Sequence, residues 1–489
     1  MMVLKTFPNL GNLCPAHHVL FEGLRNLRRS ARGRSGRRIV KAARWEQLQG
    51  GGSVFALLGV LLLVLALGLF VIPALSGDSS KSGDVASAEA TESARENAIA
   101  FWEDRAGTHP DDFVAQNNLA LAYIQRARDT GDVTDYTRAQ AAVDASLSAA
   151  PEENYDALML LSSLQVTRRE FALALETARS GMLLNDGDTF AKAIAGDALI
   201  GLGDYDAALE TYRELVEVSP GLTSFSRLAH IHELRGDAPA AEAAWLNAFN
   251  TDDGIRPENT AWARVDYGHY LFRQGNLAGA AEQYQAALEA FPGYIHALAG
   301  RASVAAASGL YDEAIPLYEQ VAGRQQVLEY VAALGDVYLA TGREADAQDQ
   351  YDLVATIDSR YRESGMNTDS QMALFLADHG LRLEEAVDQA FGGYETHPNN
   401  IYTADALSWA LHKTEQDDEA LTYSEQALRL GSHDPALLFH AGMINFRAGN
   451  HETARGYLQR VLDTNPKFSL LYASEAAATL EELNKLVSN

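Results

Sequence analysis

Alanine recurs with a fixed period along the chain, at Ala98, Ala139, Ala174, Ala208, Ala241, Ala280, Ala314, Ala347, Ala386, Ala420 and Ala454. Successive spacings are 41, 35, 34, 33, 39, 34, 33, 39, 34 and 34 residues, and a period of about 34 is that of a helix-turn-helix repeat. This restricts the fold more than any other feature. A unit so short cannot bury its own apolar face, so it must stack on copies of itself. The usual expectation of several domains for 489 residues gives way to one repeat array.

One stretch shows the unit in full, from Ala195 through Leu215 to Pro220. Gly196 and Ala208 leave room for the first helix of a pair to lie against the second, and Tyr212 and Leu215 follow Ala208 at helical spacing. Gly203 breaks the chain between the helices and Pro220 ends the unit. The pattern returns as Leu228-Ala229, Gly236, Ala241, Trp245 and Ala248; as Tyr267-Gly268, Gly275, Ala280, Tyr284, Ala287 and Pro292; and as Leu334-Gly335, Tyr338, Gly342, Ala347 and Tyr351.

Over residues 95–489 this pattern resembles the tetratricopeptide repeat (TPR) family. The resemblance implies an all-α fold, a right-handed α-solenoid of TPR helix pairs. The array is expected over 95–466, with a first helix near Arg95 covering one end and a capping helix within 467–489, about Leu470 to Leu486, covering the other. Three steps exceed the period, and the excess is assigned to connections at 129–135, 251–257 and 358–365, the last two carrying Arg256, Arg360 and Arg362.

Charge is distributed unevenly. Ten of the 39 basic residues but only two of the 66 acidic ones fall in 1–52, so this segment carries +8 and the remainder, with 29 against 64, carries −35. Such a field disfavours nucleic acid as a partner of the array and favours basic partners. Val54 to Leu75 are 22 residues without a charge, and about 20 apolar residues span a bilayer as a helix. The organisation expected is a basic segment at 1–52, one transmembrane helix at 53–75 preceding the array, and a flexible linker at 76–94 rich in Ser, Gly and Asp. The basic residues before the span orient the N-terminus to the cytoplasm and the array to the extracytoplasmic side. Ala74-Leu75-Ser76 offers the alternative of a cleaved signal peptide; the length of the apolar run and Pro73 stand against it. The only cysteine, Cys14, precedes the span, which leaves the array without disulfides or thiolate metal clusters.

Catalytic motifs are missing. Gly201-Leu202-Gly203 joins two helices and does not follow a strand, so it lacks the context of a dinucleotide loop. His232-Glu233 and His451-Glu452 lack the second histidine of a zinc protease helix, and neither a nucleophile elbow nor a phosphate loop is present. No enzyme activity and no cofactor are implied. Nor does the chain carry the lysine–asparagine clamp by which some TPR proteins grip chaperone C-termini: Asn118 fits one position, but Val114 and Leu160 occupy two others.

Carried onto this chain, the family frame places a set of first-helix residues on the concave wall. Phe190, Trp262, His269, Phe272, Tyr402, Trp409, Phe439, Met443 and Phe446 form the expected partner-binding set, because an exposed aromatic groove marks a site for peptides or helices. The alternative for any of them is packing between repeats. His230 and His269 take equivalent positions in consecutive repeats and His296 opens the next, with Asp266 near His269, which makes them candidate metal ligands. The function expected is a membrane-anchored scaffold binding protein or peptide partners outside the cytoplasm, in envelope protein assembly or quality control. The alternative is a metal- or small-ligand-binding transport accessory protein that uses the concave-face histidines.

Overall fold

Turn chemistry sets the helix boundaries. In three consecutive repeats a glycine with positive φ (Gly203 at 76°, Gly236 at 68°, Gly275 at 76°) is followed by Asp204, Asp237 or Asn276, whose side chain accepts a hydrogen bond from the backbone N–H three residues on. Glycine supplies the left-handed turn without steric penalty, and the cap satisfies one of the orphan donors of the next helix.

The computed structural model describes residues 80–487 apart from 186 and 188, all within the second of two units into which the chain divides, 77–489. The basic segment 1–52, the apolar stretch 53–75 and residues 76–79 lie outside the described residues. Among the described residues, no helix is long and apolar enough to cross a membrane. Among the described residues, twenty-two helices follow one another without a strand. After α1 (Ser80–Thr108) come ten pairs: α2 (Phe113–Thr130) with α3 (Thr134–Ala149), α4 (Tyr155–Thr167) with α5 (Phe171–Leu184), and α6 (Thr189–Leu202) with α7 (Tyr205–Val218). Then follow α8 (Leu222–Leu234) with α9 (Ala238–Asn250), α10 (Pro257–Arg273) with α11 (Leu277–Ala290), α12 (Ile295–Ala307) with α13 (Tyr311–Arg324), and α14 (Leu328–Ala340) with α15 (Glu344–Glu363). The last are α16 (Asp369–Asp378) with α17 (Leu383–Thr396), α18 (Ile401–Lys413) with α19 (Asp417–Ala427), and α20 (Pro435–Arg447) with α21 (His451–Thr464), closed by α22 (Ala473–Val487).

The periodic alanines sit where two helices cross. From Ala139 to Ala454 all ten lie in the second helix of a pair and are at most 1% exposed; Ala98, in the unpaired α1, is partly buried. Under three of the crossings an aromatic ring fills the space left by a glycine. A methyl group at Gly196, Gly268 or Gly335 would overlap the ring of Tyr212, Tyr284 or Tyr351. Burying a side chain of this size contributes about 1.5–3 kcal/mol, so the small residue and the large one act as a single packing element.

Two boundaries differ from the sequence expectation. The linker expected at 76–94 is helical from Ser80 onward, because that segment is rich in alanine and glutamate and so holds more helix formers than its serines suggest. The excess at 358–365 is not a loop. It prolongs α15 to 20 residues, and buried Asp358 ties that extra turn to Arg362 at 2.9 Å and to Thr368. Arg362 also bonds Asp369, and Arg360 bonds Gln326.

The array winds back upon itself. The turn at Gly203 meets the backbone of Asn399 and Asn400, the turn at Gly236 meets Gly431, and that at Gly275 meets Thr464 and Asn465. Hydrogen bonds fasten these meetings: Asn400 Nδ2 donates to the Gly201 carbonyl (3.0 Å), the Ile401 N–H to the Tyr205 hydroxyl (3.0 Å), and Asn465 Nδ2 to the Phe272 carbonyl (2.8 Å). Earlier in the chain, Gln325 Nε2 reaches the Arg128 carbonyl (3.3 Å). In each case the turn inside one pair touches the connection that lies eleven helices further on, so one superhelical turn takes five and a half repeats.

Candidate partner-binding cleft

The concave wall is positioned by a recurring bond. A tyrosine in the second helix of a pair passes under the crossing and bonds the residue fifteen positions earlier, on the first helix: Tyr212 to Asp197 (2.7 Å), Tyr284 to His269 Nδ1 (2.8 Å), Tyr318 to Ser303 (2.8 Å) and Tyr351 to Asp336 (2.9 Å). Where tryptophan replaces tyrosine the bond is lost. Trp245 stands fifteen residues after His230, and its buried indole N–H has no hydrogen-bond partner. His230 is correspondingly exposed and lies 3.9 Å from Glu233.

A cavity of about 230 Å³ opens on this wall between α10 and α12, lined by Trp262, Val265, Asp266, His269, Tyr294 and His296. The i, i+4 spacing puts Trp262 and Asp266 on one face of α10, with His269 beside them. Across the cavity, His296 Nδ1 shares a 2.6 Å hydrogen bond with the Tyr330 hydroxyl. Salt bridges flank the cavity. Arg227 holds both oxygens of Asp197 (2.8 and 2.9 Å) with its guanidinium 5.8 Å from the Trp262 ring centre, and Arg273 pairs with Glu233.

Protonation follows from this layout. Burial pushes the Asp266 carboxyl up to about 6. It pulls His269 down to about 4, helped by the Arg273 charge, and lowers His296 as well. Burial also opposes the Glu233 charge, but Arg273 beside it outweighs that and holds the carboxyl down at about 2. Asp266 makes no hydrogen bond or salt bridge among the described residues; His230, Arg273 and Arg227 favour its charge from beyond salt-bridge range and do not outweigh burial.

Of the expected site residues, Trp262, His269 and His296 come together in this cavity. Phe272 lies one turn beyond, half-buried, its carbonyl engaged by Asn465. Tyr402 is 40% exposed and lines a narrow gap with Arg273 and Asp434 between successive superhelical turns, where loss of solvent raises its phenol above the ordinary value. Phe190 is exposed on α6, and Phe446 packs against His451. The other three are corrections. Trp409 is 1% exposed, Phe439 0% and Met443 7%, and they belong to the core because the segment before α22 folds over them. Phe439 stacks on Tyr472 (4.9 Å) and meets Phe468 (5.3 Å).

The metal expectation fails on geometry. Among the described residues no group of three or more His, Cys, Asp or Glu side chains could hold an ion. Nδ1 of His269 and of His296 is already engaged by a tyrosine, and His230 faces Glu233 instead of its neighbours. Sequence reasoning missed Tyr294 and Tyr330. The second was within reach, since His296 and Tyr330 are 34 residues apart, one full period.

Stacked helix pairs with a side-chain-sized cleft on the inner wall define a helical-repeat binding protein. The family profile described as tetratricopeptide repeat matches residues 195–254, 265–327, 300–361 and 407–467, and the chain is a TPR protein. Comparison with curated proteins finds no match. Among solved structures, it is similar to yeast Tom70 (13% identity, 76% of this chain and 96% of that one, TM-score 0.33). It is also similar to human IFIT1, solved as a dimer with PPP-AAAA (13%, 75% and 86%, TM-score 0.42), and to a tetratricopeptide repeat protein from Parabacteroides merdae (17%, 56% and 99%, TM-score 0.31). TPR arrays are protein-interaction scaffolds, and this array is built as one.

Proposed function

We propose that this protein is a membrane-tethered scaffold whose repeats hold a protein or peptide partner, engaged at the cleft formed by Trp262, Asp266, Tyr294 and His296. The observation that carries this reading is the cleft itself: two half-buried aromatic side chains and a carboxyl group without a salt bridge, flanked by Arg227 and Arg273, which are paired elsewhere. Burying aromatic surface of this kind supplies much of the energy of protein interfaces.

The tether is the uncharged stretch 54–75 with its basic flank, and the positive-inside rule puts the repeats outside the cytoplasm. Proteins of the cell envelope undergoing assembly or quality control are then the natural partners. A photo-crosslinking residue at position 262 of the full chain, expressed in its native cell, is expected to capture a discrete envelope protein, and Trp262→Ala is expected to abolish co-purification of that protein. A reporter fused after Asn489 that works only outside the cytoplasm is expected to be active. Failure of the cleft to crosslink, or activity from a cytoplasmic reporter alone, overturns the respective half of the reading.

A further inference from the structure

We infer that the cavity between α10 and α12 is a receptor for a cationic side chain, a lysine or arginine of the bound peptide, recognised by the Asp266 carboxylate together with the Trp262 and Tyr294 rings. The inference rests on the scaffold reading and specifies what that scaffold recognises.

From α8, Arg227, His230 and Glu233 face the cavity or its rim; α10 contributes Asp266, His269 and Arg273; α11 contributes Tyr284, and α12 with its preceding residue contributes His296 and Tyr294. Arg227 is bound by both oxygens of Asp197 and Arg273 by Glu233, so these charges cancel in pairs. His269 and His296 are kept neutral by burial. What remains is the Asp266 carboxylate, set in a cleft, in contact with no cation and favoured only from a distance by His230, Arg273 and Arg227. A partly desolvated carboxylate of this kind is costly until a cation joins it.

A volume of about 230 Å³ is below the roughly 300–1,000 Å³ of pockets that hold drug-sized ligands, which matches one side chain. Tryptophan is the strongest cation–π partner and tyrosine also serves. The chain beyond residue 52 carries −35, a field that draws basic segments toward the array before any contact forms. An acidic or phosphorylated peptide would meet the same carboxylate and be repelled.

The test uses the full-length chain and tetralysine, with tetraglutamine as the uncharged control, followed by calorimetry at pH 7.5. Tetralysine is expected to bind and tetraglutamine not to. Asp266→Asn, which keeps the shape of the side chain, is expected to weaken tetralysine at least tenfold, and Trp262→Leu severalfold; the second variant keeps the test decisive should the first not fold. In a His230→Gln background, affinity is expected to fall as the pH drops from 7.5 to 5, because Asp266 takes up a proton near pH 6, while the Asp266→Asn form stays level across that range. Equal tetralysine affinity in wild type and both variants, or a pH response unchanged by Asp266→Asn, overturns the inference. A partner captured at position 262 alongside unchanged tetralysine binding in Asp266→Asn would leave the scaffold reading standing and remove only the cation receptor. Asp266-dependent tetralysine binding without any captured partner would do the reverse.

Discussion

Two stretches of the inner wall start from the same frame and end differently. Around α10 and α12, Trp262 stays half-open beside a cavity and its neighbours are ion pairs reaching solvent. Around α18 and α20, Trp409 is sealed between His440, stacked at 4.2 Å, and His412, at 4.9 Å, and its indole N–H donates to Asp378 at 2.8 Å. His440 in turn bonds both oxygens of Asp405 at 3.0 Å. Burial works against a charge on His440, but the Asp405 carboxylate outweighs it and raises the imidazole above its ordinary value. Trp409 shares its place in the repeat, 11 residues before the crossing alanine, with His269, which lines the cavity, so position in the repeat does not decide whether a wall residue is surface or core. The C-terminal segment does, by laying Phe468 and Tyr472 over one stretch and not the other.

The sharpest way to break this contrast is to truncate each tryptophan. Trp409→Ala removes a ring in contact with five aromatic or cationic neighbours and strands the Asp378 carboxyl. It is expected to cost about 3–5 kcal/mol, the usual range for a buried tryptophan, measured by urea denaturation. A loss near 1 kcal/mol would mean that the C-terminal wall is as open as the other.

Next in size is the contact between superhelical turns that encloses both walls. Gly203 has φ 76°, and a methyl group there would strike the Asn399 carbonyl. Gly203→Ala therefore combines backbone strain with a backbone clash that no side chain can relieve, and about 2–3 kcal/mol of stability is expected to be lost. Gly342→Ala, with φ 75° but open space around it, separates the two terms and is expected to cost about 1 kcal/mol. Equal losses at the two glycines would show that the turns do not touch.

This contact also marks the limit of what the sequence discloses. The ten pairs, their crossing alanines and the terminal helix follow from a local period, and a local period is visible in one dimension. Enclosure of Trp409, Phe439 and Met443 depends instead on partners outside their own repeat, and the meeting of Gly203 with Asn399 spans nearly 200 residues, a separation at which no hydrophobic pattern carries information. The cleft was half legible. Trp262, His269 and His296 are named by the frame, whereas Tyr294 sits in the connection before α12, and the lone carboxyl of Asp266 is recognisable only once Arg227 and Arg273 are seen to be taken. The extra turn of α15 reads as a longer connection because the period gives the number of excess residues and not their conformation; the bond between buried Asp358 and Arg362 holds them in the helix.

At Asp266 the effect reverses sign. Its folded value, near 6, lies above the ordinary 3.8, so the native state holds the proton more tightly than the unfolded chain does. Stability therefore falls as pH rises through that window and stays reduced above it. Asp266→Asn is expected to stabilise the protein at pH 7.5 by about 1–2 kcal/mol after allowance for partial solvent access. It should also flatten the melting temperature between pH 4 and 6. A destabilised variant would show that the carboxylate has a counter-charge in the native state.

Trp262→Ala closes the comparison with the smallest change in stability. The ring is already half in solvent, and the Arg227 guanidinium, 5.8 Å from its centre, keeps its two bonds to Asp197 when the ring is gone. The loss reduces to a weak cation–π term and part of the packing against the cluster around Trp245 and Tyr270, about 1 kcal/mol in denaturation midpoints. Partner binding is expected to suffer far more than folding does. For Trp409 the order is inverted: the fold weakens, while a partner held at α10 and α12 is still bound by whatever fraction of the molecules remains native. If Trp262→Ala instead cost as much stability as Trp409→Ala, the cavity would be a packing defect in a continuous core, and no part of the inner wall would be free to receive a partner.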